Sequence, residues 1–271
     1  MNIAVFSDKF SGTLSAIEVL DIVQSKFLDS NINADFFSVT DGGQESTEIF
    51  KSHNFQTHES FETLNCGNSF SVVELLNING SVFFESAKLI GVDSENESMS
   101  INTGCLLEAV QKTEVLGTGG SKTVDFGIGL LSKLGMEFIS NGETIVNPVP
   151  KDFSYIDQVK ATNFKSNLEN RILSDTNISL LGENSAFDVF GPQKGLSKKD
   201  IEKHKIEVER LITLIDKELV LGLNPTEINS GAAGGLTFAL NQILGCEIEN
   251  GAKYFLKETN LINQLGNYDI G

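Results

Sequence analysis

Gly117-Thr118-Gly119-Gly120-Ser121-Lys122-Thr123-Val124-Asp125-Phe126-Gly127-Ile128-Gly129 follows a short apolar run and leads into a helix-like pattern, so it reads as a strand-to-helix turn of an α/β protein. Three glycines in four positions let backbone N–H groups approach an anion without side-chain obstruction. A helix after such a turn points the positive end of its dipole at that anion. Ser121, Lys122, Thr123 and Asp125 add hydroxyls, one cation and one carboxylate, the groups that a phosphate with bound Mg²⁺ asks for. Glycine-rich turns of this kind also serve packing alone, so the loop is either a ligand cradle or a packing turn. It is not a P-loop, which needs Gly-Lys-Ser/Thr four residues after a first glycine. Nor is it a dinucleotide fingerprint, which needs a glycine where Lys122 stands.

Working back from the cradle, Val115-Leu116 forms the short run before it, residues 103–110 are compatible with a helix, and residues 81–84 form another strand with Glu85 at its end. At the N-terminus, residues 2–7 make a nearly continuous apolar run, as in a strand buried on both faces, and Asp8-Lys9-Phe10-Ser11-Gly12-Thr13 is the turn leaving it. Ser15 and Glu18 have capping-box spacing, and Ala16, Leu20, Val23 and Phe27 make one apolar stripe of the helix that follows. A second strand over 34–39 ends at Thr40-Asp41-Gly42-Gly43. Two strand ends thus each deliver an aspartate into a turn. In open parallel sheets ligands sit outside the carboxyl ends of the strands, so Asp8 and Asp41 either face one crevice or cap the next helices.

Beyond the cradle, Ile128, Leu131 and Leu134 continue a helix, and Asn141-Gly142 between alternating strands is a type I′ hairpin signal. Residues 60–76 are irregular and strand-like, which places the passage into a second domain there. Ser174-Asp175 precedes the apolar run 178–181, and Val189-Phe190-Gly191-Pro192-Gln193-Lys194-Gly195 is a rigid turn carrying one cation. Ser197 and Asp200 start a long helix with Ile201, Val208, Leu211, Ile215 and Leu219 on one face, in which His204 reads as a solvated surface residue. Ser230-Gly231-Ala232-Ala233-Gly234-Gly235-Leu236 is a second small-residue turn, either another anion site or a close helix–sheet contact. Residues 256–265 read as helical, and Tyr268-Asp269-Ile270 as the first residues of another strand.

A formal charge of −17 and a pI near 4.5 argue against a nucleic-acid partner, whose phosphates need Lys and Arg to displace counterions. No apolar stretch approaches membrane-spanning length, and the N-terminus has neither a basic region nor a long apolar one, so the reading is a soluble cytoplasmic protein. Cys66, Cys105 and Cys246 are scattered without paired spacing, and His53, His58 and His204 form no ligand cluster. No chemistry is assigned to either residue type.

Five motifs in one order now resemble a known family. The turn at Asp8-Lys9-Phe10-Ser11-Gly12-Thr13-Leu14-Ser15-Ala16 is similar to Asp-Ser-Phe-Lys-Gly-Ser-Leu-Ser-Ala of the bacterial two-domain glycerate kinases, the glycerate 2-kinase family. Asp41-Gly42-Gly43-Gln44-Glu45-Ser46 resembles their Asp-Gly-Gly-Glu-Gly-Thr, and residues 117–129 resemble Gly-Ile-Gly-Gly-Ser-Ala-Thr-Asn-Asp-Gly-Gly-Ala-Gly. Phe190-Gly191-Pro192-Gln193-Lys194-Gly195 and Gly231-Ala232-Ala233-Gly234-Gly235-Leu236 resemble the last two. The resemblance implies an α/β fold with a Rossmann-like parallel-sheet domain and a second, inserted mixed α/β domain. Its parts would be residues 1–62, an insertion over 63–254, and a return at 255–271. It implies transfer of the γ-phosphoryl group of MgATP to D-glycerate, giving 2-phosphoglycerate.

In that scheme Gly117, Gly119, Gly120, Ser121, Thr123, Gln193 and Lys194 suit the phosphates of ATP, and Asp125 or Asp175 suits Mg²⁺. Asp8 or Asp41 would orient the hydroxyl or take its proton, and Lys9 would hold the glycerate carboxylate. Departures from the family pattern are Ser11 for its lysine, Gln44 for its acidic residue, and Val124 and Phe126 beside Asp125. Phe126 would either block a ligand or fill a wall. Family members continue past the strand expected at Tyr268 into further strands and helices, so the 271 residues read as lacking that segment. Competing readings are a binding protein without turnover and a kinase of a related small hydroxy acid.

Overall fold

The computed structural model describes residues 2–10, 12–30, 32–91, 97–165 and 168–269, so the expectations resting on Ser11 and Ile270 lie outside the described residues. The chain opens with a β-α-β unit: β1 (Ile3–Ser7), helix α1 (Ala16–Asp29) and β2 (Ala34–Ser38), the strands parallel with Val5 opposite Phe36. Ser15 caps α1 through the capping box expected from its spacing to Glu18, satisfying donors that the first helical turn leaves orphaned. Helix α2 (Ser46–Ser52) follows, and then the antiparallel strands β3 (Gln56–Leu64), β4 (Phe70–Ile78) and β5 (Ser81–Glu85).

The next strand, β6 (Val115–Gly117), runs parallel to β5 and leads into the cradle and helix α3 (Ile128–Lys133). A small antiparallel sheet of β7 (Glu137–Ser140), β8 (Glu143–Thr144) and β9 (Gln158–Lys160) comes after it. Its β7–β8 link is Asn141-Gly142, both at positive φ, as a type I′ hairpin requires. The chain returns as β10 (Arg171–Leu173), crosses the long helix α4 (Lys198–Leu219), and adds β11 (Glu247–Glu249) and helix α5 (Gly251–Glu258). The central sheet has the order β11-β10-β6-β5-β4-β3, parallel on one side and antiparallel on the other.

Side chains alternate across this sheet, and both faces are covered. Leu75, Phe84, Leu116 and Ile172 face the larger core, which includes α3 and the apolar stripe of α4. Leu76, Phe83, Val115 and Leu173 face a second core, where Ile49 and Phe50 of α2 meet Tyr254 and Phe255 of α5. Phe6 and Phe37 of the two-stranded sheet pack against this second core.

Two readings from the sequence are corrected. Residues 256–265 are not one helix: α5 stops at Glu258, Asn260 takes a left-handed backbone (φ 59°), and a separate turn of helix spans Leu261–Gln264. Tyr268 and Asp269 form no strand, although the Asp269 N–H donates to Asn2 O (2.8 Å) beside the start of β1.

Candidate active site

The strands β5, β6 and β10 end level with one another: Gly117 lies opposite both Glu85 and Leu173. Whatever follows those three residues therefore emerges at one place, the carboxyl edge of the sheet. After β6 come Thr118 to Ser121, and after β10 come Ser174 and Asp175. The loop at 40–45 lies against them with almost no gap. A Cβ on Gly117 would run into the carbonyl of Gly42, and one on Gly119 would come within 2.8 Å of Gly43 Cα. Glycine is needed at these two positions because two backbones touch. The far side of the cradle is pinned by the Lys122 N–H donating to Ile90 O (2.8 Å).

Between the loops opens a cleft of about 540 Å³. Of the residues expected at the site, Lys9, Asp41, Gly119, Gly120, Ser121, Asp175, Gln193 and Lys194 line it together. Gln44, Thr118, Ser174, Thr176, Phe190, Ala232 and Ala233 line it as well. Asp8, Gly117, Thr123 and Asp125 do not. Asp8 sits in the exposed turn, its Oδ1 3.7 Å from Lys9 Nζ. Gly117 is spent on the contact with Gly42, and Thr123 and Asp125 are buried behind the cradle.

Lys194 is the buried cation of the cleft. Its Nζ donates to Thr123 O (2.8 Å) and lies 3.4 Å from Ser121 Oγ. Burial drives its pKa down to about 7, against a smaller upward pull from the carboxylate of Asp125. Asp41 Oδ1 accepts from the Gly43 N–H (2.8 Å), which keeps that loop tight. Asp175 accepts from the N–H groups of Gly251 (2.7 Å) and Ala252 (3.1 Å) and so caps α5 from outside the helix. Burial raises the Asp175 carboxyl above its usual range, those two hydrogen bonds pull it back, and the negative charge of Asp41 adds to the rise. Among the described residues, three or more His, Cys, Asp or Glu converge nowhere in a metal-holding group, so Asp41 and Asp175 are the carboxylates available to a cation in the cleft.

The helix after the cradle does not offer its N-terminus to the cleft as expected. The Asp125 carboxylate occupies that position, accepting from Gly127 N–H (3.1 Å) and Gly129 N–H (3.2 Å). Glu85 does the same for α2, accepting from the N–H groups of Glu45 (3.0 Å) and Thr47 (2.9 Å). Burial raises the Glu85 carboxyl, an effect that nearby Lys88 and the hydrogen bond from Thr47 offset in part. With Asp175 on α5, three helix N-termini near the cleft are each capped by a carboxylate, Asp125 from the loop leading into its own helix and Glu85 and Asp175 from distant elements. An anion entering the cleft would therefore meet the backbone and side chains of the cradle and the lysines rather than a helix N-terminus.

Phe126 fills the wall: it is fully buried against Phe153 and Phe238 and leaves the cleft free. The turn at 230–236 is in the first place a close contact, with Gly234 pressed on the carbonyl of Thr123, although Ala232 and Ala233 reach the cleft. His204 is not a surface residue. It is buried between Phe153 and Phe187, its Nε2 is 2.8 Å from Val124 O, and burial lowers its pKa to about 4.

Comparison with known proteins bears on this geometry. The profile of the glycerate kinase family matches residues 3–270. The chain belongs to the glycerate kinase family. Glycerate kinase of Bacillus subtilis (strain 168) is 24% identical, the match covering 100% of this chain and 75% of that protein. Glycerate 2-kinase of Escherichia coli (strain K12) is 25% identical over 96% of this chain and 73% of its own. A crystal structure assigned to glycerate kinase 2 of Salmonella typhimurium LT2 superimposes with a TM-score of 0.73, covering 100% of this chain and 77% of that one at 22% identity, which establishes the shared two-domain α/β fold. No helix among the described residues is long and apolar enough to cross a membrane.

Proposed function

We propose that this member of the glycerate kinase family transfers the γ-phosphoryl group of ATP to D-glycerate, with 2-phosphoglycerate as product. The observation that carries the reading is the convergence of a glycine-rich backbone loop, two lysines and two carboxylates in one cleft at the carboxyl edge of the sheet. Phosphoryl transfer asks a protein mainly for positioning and charge neutralisation, and these groups supply both. In this reading the backbone of Gly119 and Gly120, the hydroxyl of Ser121 and the ammonium of Lys194 hold phosphate oxygens. Gln193 borders the same pocket. Lys9 holds the carboxylate of glycerate.

Asp41 and Asp175 would hold Mg²⁺, and the chemistry it would supply there is neutralisation of phosphate charge. The fit rests on their electrostatics: Asp175 is destabilised as an anion partly by the charge of Asp41, and a cation held by both would relieve it. Asp175 keeps lone pairs beyond the two given to α5, since a carboxylate accepts at about four sites. In this reading Asp41, with one oxygen engaged by Gly43, orients the substrate hydroxyl or takes its proton. Asp8, exposed and outside the cleft, is the weaker candidate for that role.

ATP consumption by the purified chain, measured with Mg²⁺ against a panel of small hydroxy acids, tests the reading. Turnover greatest with D-glycerate is expected. Turnover with another hydroxy acid and none with glycerate would overturn the substrate assignment, and no consumption with any of them would overturn the catalytic one.

A further inference from the structure

We infer that Asp125 is a positioning residue for Lys194, acting through the cradle backbone it holds, and not a ligand of the metal. The carboxylate is wholly enclosed, and its lone pairs are committed. Oδ1 accepts from Thr123 Oγ1 (2.8 Å) and the Gly127 N–H (3.1 Å). Oδ2 accepts from the Thr103 N–H (2.8 Å), Thr103 Oγ1 (2.8 Å) and the Gly129 N–H (3.2 Å). Five donors around one carboxylate leave no oxygen directed at the cleft.

The same network runs on to the lysine. Thr123 is gripped at its hydroxyl by Asp125 and presents its backbone carbonyl to Lys194 Nζ (2.8 Å), with Ser121 Oγ on the other side (3.4 Å). The Asp125 N–H returns a bond to Thr123 Oγ1 (3.2 Å), which closes a small ring about that residue. Residues 121–123 are thereby fixed in the conformation that receives the ammonium. Lys194 is tied at its backbone as well, its N–H donating to Gly191 O (3.0 Å) and its carbonyl accepting from Ser98 Oγ (2.9 Å). Around Nζ the charge of Asp125 favours the protonated amine. Lys9, Asp41 and Asp175 share the cleft, and His204, on the far side of Val124, is kept neutral by burial. That the positioned ammonium serves phosphate oxygens rests on the proposed function; the positioning itself does not.

The test therefore needs no ligand. Lysines of the full chain are acylated with acetic anhydride at pH 7, and the rate at each site is read by mass spectrometry in the parent protein, Asp125→Asn and Thr123→Val. Thr123→Val keeps the side-chain shape and removes the one hydroxyl that links Thr123 to Asp125, leaving the other donors to the carboxylate in place, so it reports even where Asp125→Asn fails to fold. Lys198 and Lys199, exposed at the start of α4, serve as internal references. The expected result is a rise of about threefold to tenfold at Lys194 alone, the factor that one lost hydrogen bond gives. An unchanged Lys194 rate in a folded variant would overturn the inference. So would an equal rise at every lysine, the mark of general loosening. MgATP titrated into the same acylation of the parent protein bears separately on the functional reading: absence of protection at Lys194 would count against phosphate binding and leave the positioning result standing.

Discussion

Replacing Lys194 by methionine is expected to make the protein more stable at neutral pH while removing its activity. The pKa of Lys194 drops from 10.5 to about 7 on folding, and burial is the cause. At about 1.4 kcal/mol per pH unit, holding this charge in the fold costs about 4 to 5 kcal/mol. Methionine of similar length removes that cost but also the bonds to Thr123 O and Ser121 Oγ, worth about 2 kcal/mol together with the desolvated carbonyl they leave behind. The net gain at pH 6 is about 2 to 3 kcal/mol. Its pH dependence follows from the direction of the shift. Below pH 7 the lysine is protonated both folded and unfolded, so the whole cost is present. Between pH 7 and 10.5 only the unfolded chain keeps the proton, and the cost shrinks as pH rises. Urea unfolding of the parent protein and Lys194→Met at pH 6, 7.5 and 9 measures this. The gain should decline across the series, and by pH 9 the lost bonds should cancel or reverse it. A variant less stable than the parent by one constant amount at every pH would refute the argument that Lys194 is a buried, costly charge.

Gly119→Ala should lower stability by about 1 to 3 kcal/mol, because the new Cβ would come 2.8 Å from Gly43 Cα; thermal unfolding checks it, with Gly266→Ala as a control for a glycine in open space outside the left-handed region. Asp175→Ala should lose turnover together with about 1 kcal/mol of stability, since the side chain also caps α5, whereas Asp41→Ala should lose turnover with a smaller stability change. Paired kinetic and unfolding measurements separate the two. His204, with its pKa lowered to about 4 by burial, contributes stability that is whole above pH 6.5 and is lost as pH falls toward 4, because the unfolded chain takes up the proton first. The loss comes to about 3 kcal/mol, and the pH dependence of unfolding should flatten in His204→Phe.

Local signals in the chain were dependable where one neighbourhood decides the outcome. The Asn141-Gly142 hairpin, the helix starts at Ser15 and Ser197, and the strands at 81–84 and before the cradle form as their residues suggest, whereas β10 was not read as a strand. His204 was misread because Lys203 and Lys205 flank it, yet it falls three residues after Ile201 and four before Val208, on the buried stripe of α4. Cys66 and Cys105 look unrelated in sequence, but their thiols meet in the fold, and that contact, reinforced by burial, pushes Cys105 well above its ordinary value. The roles of the cradle residues were the least legible. Asp125 and Asp175 are both acidic residues beside a loop. Only the packing decides that one turns inward to five donors and the other stands at the cleft. The glycines of the cradle were read as room for a ligand, and at Gly117 the contact is instead another loop, Gly42, far away in the chain.

The central claim is that this cleft moves a phosphoryl group, and ³¹P NMR of the chain mixed with MgATP and D-glycerate tests it most directly. The ATP signals should give way to ADP and one new phosphomonoester resonance matching 2-phosphoglycerate, with no such conversion in Asp41→Asn. Unchanged ATP in the presence of glycerate, or free phosphate as the only new signal, would contradict it.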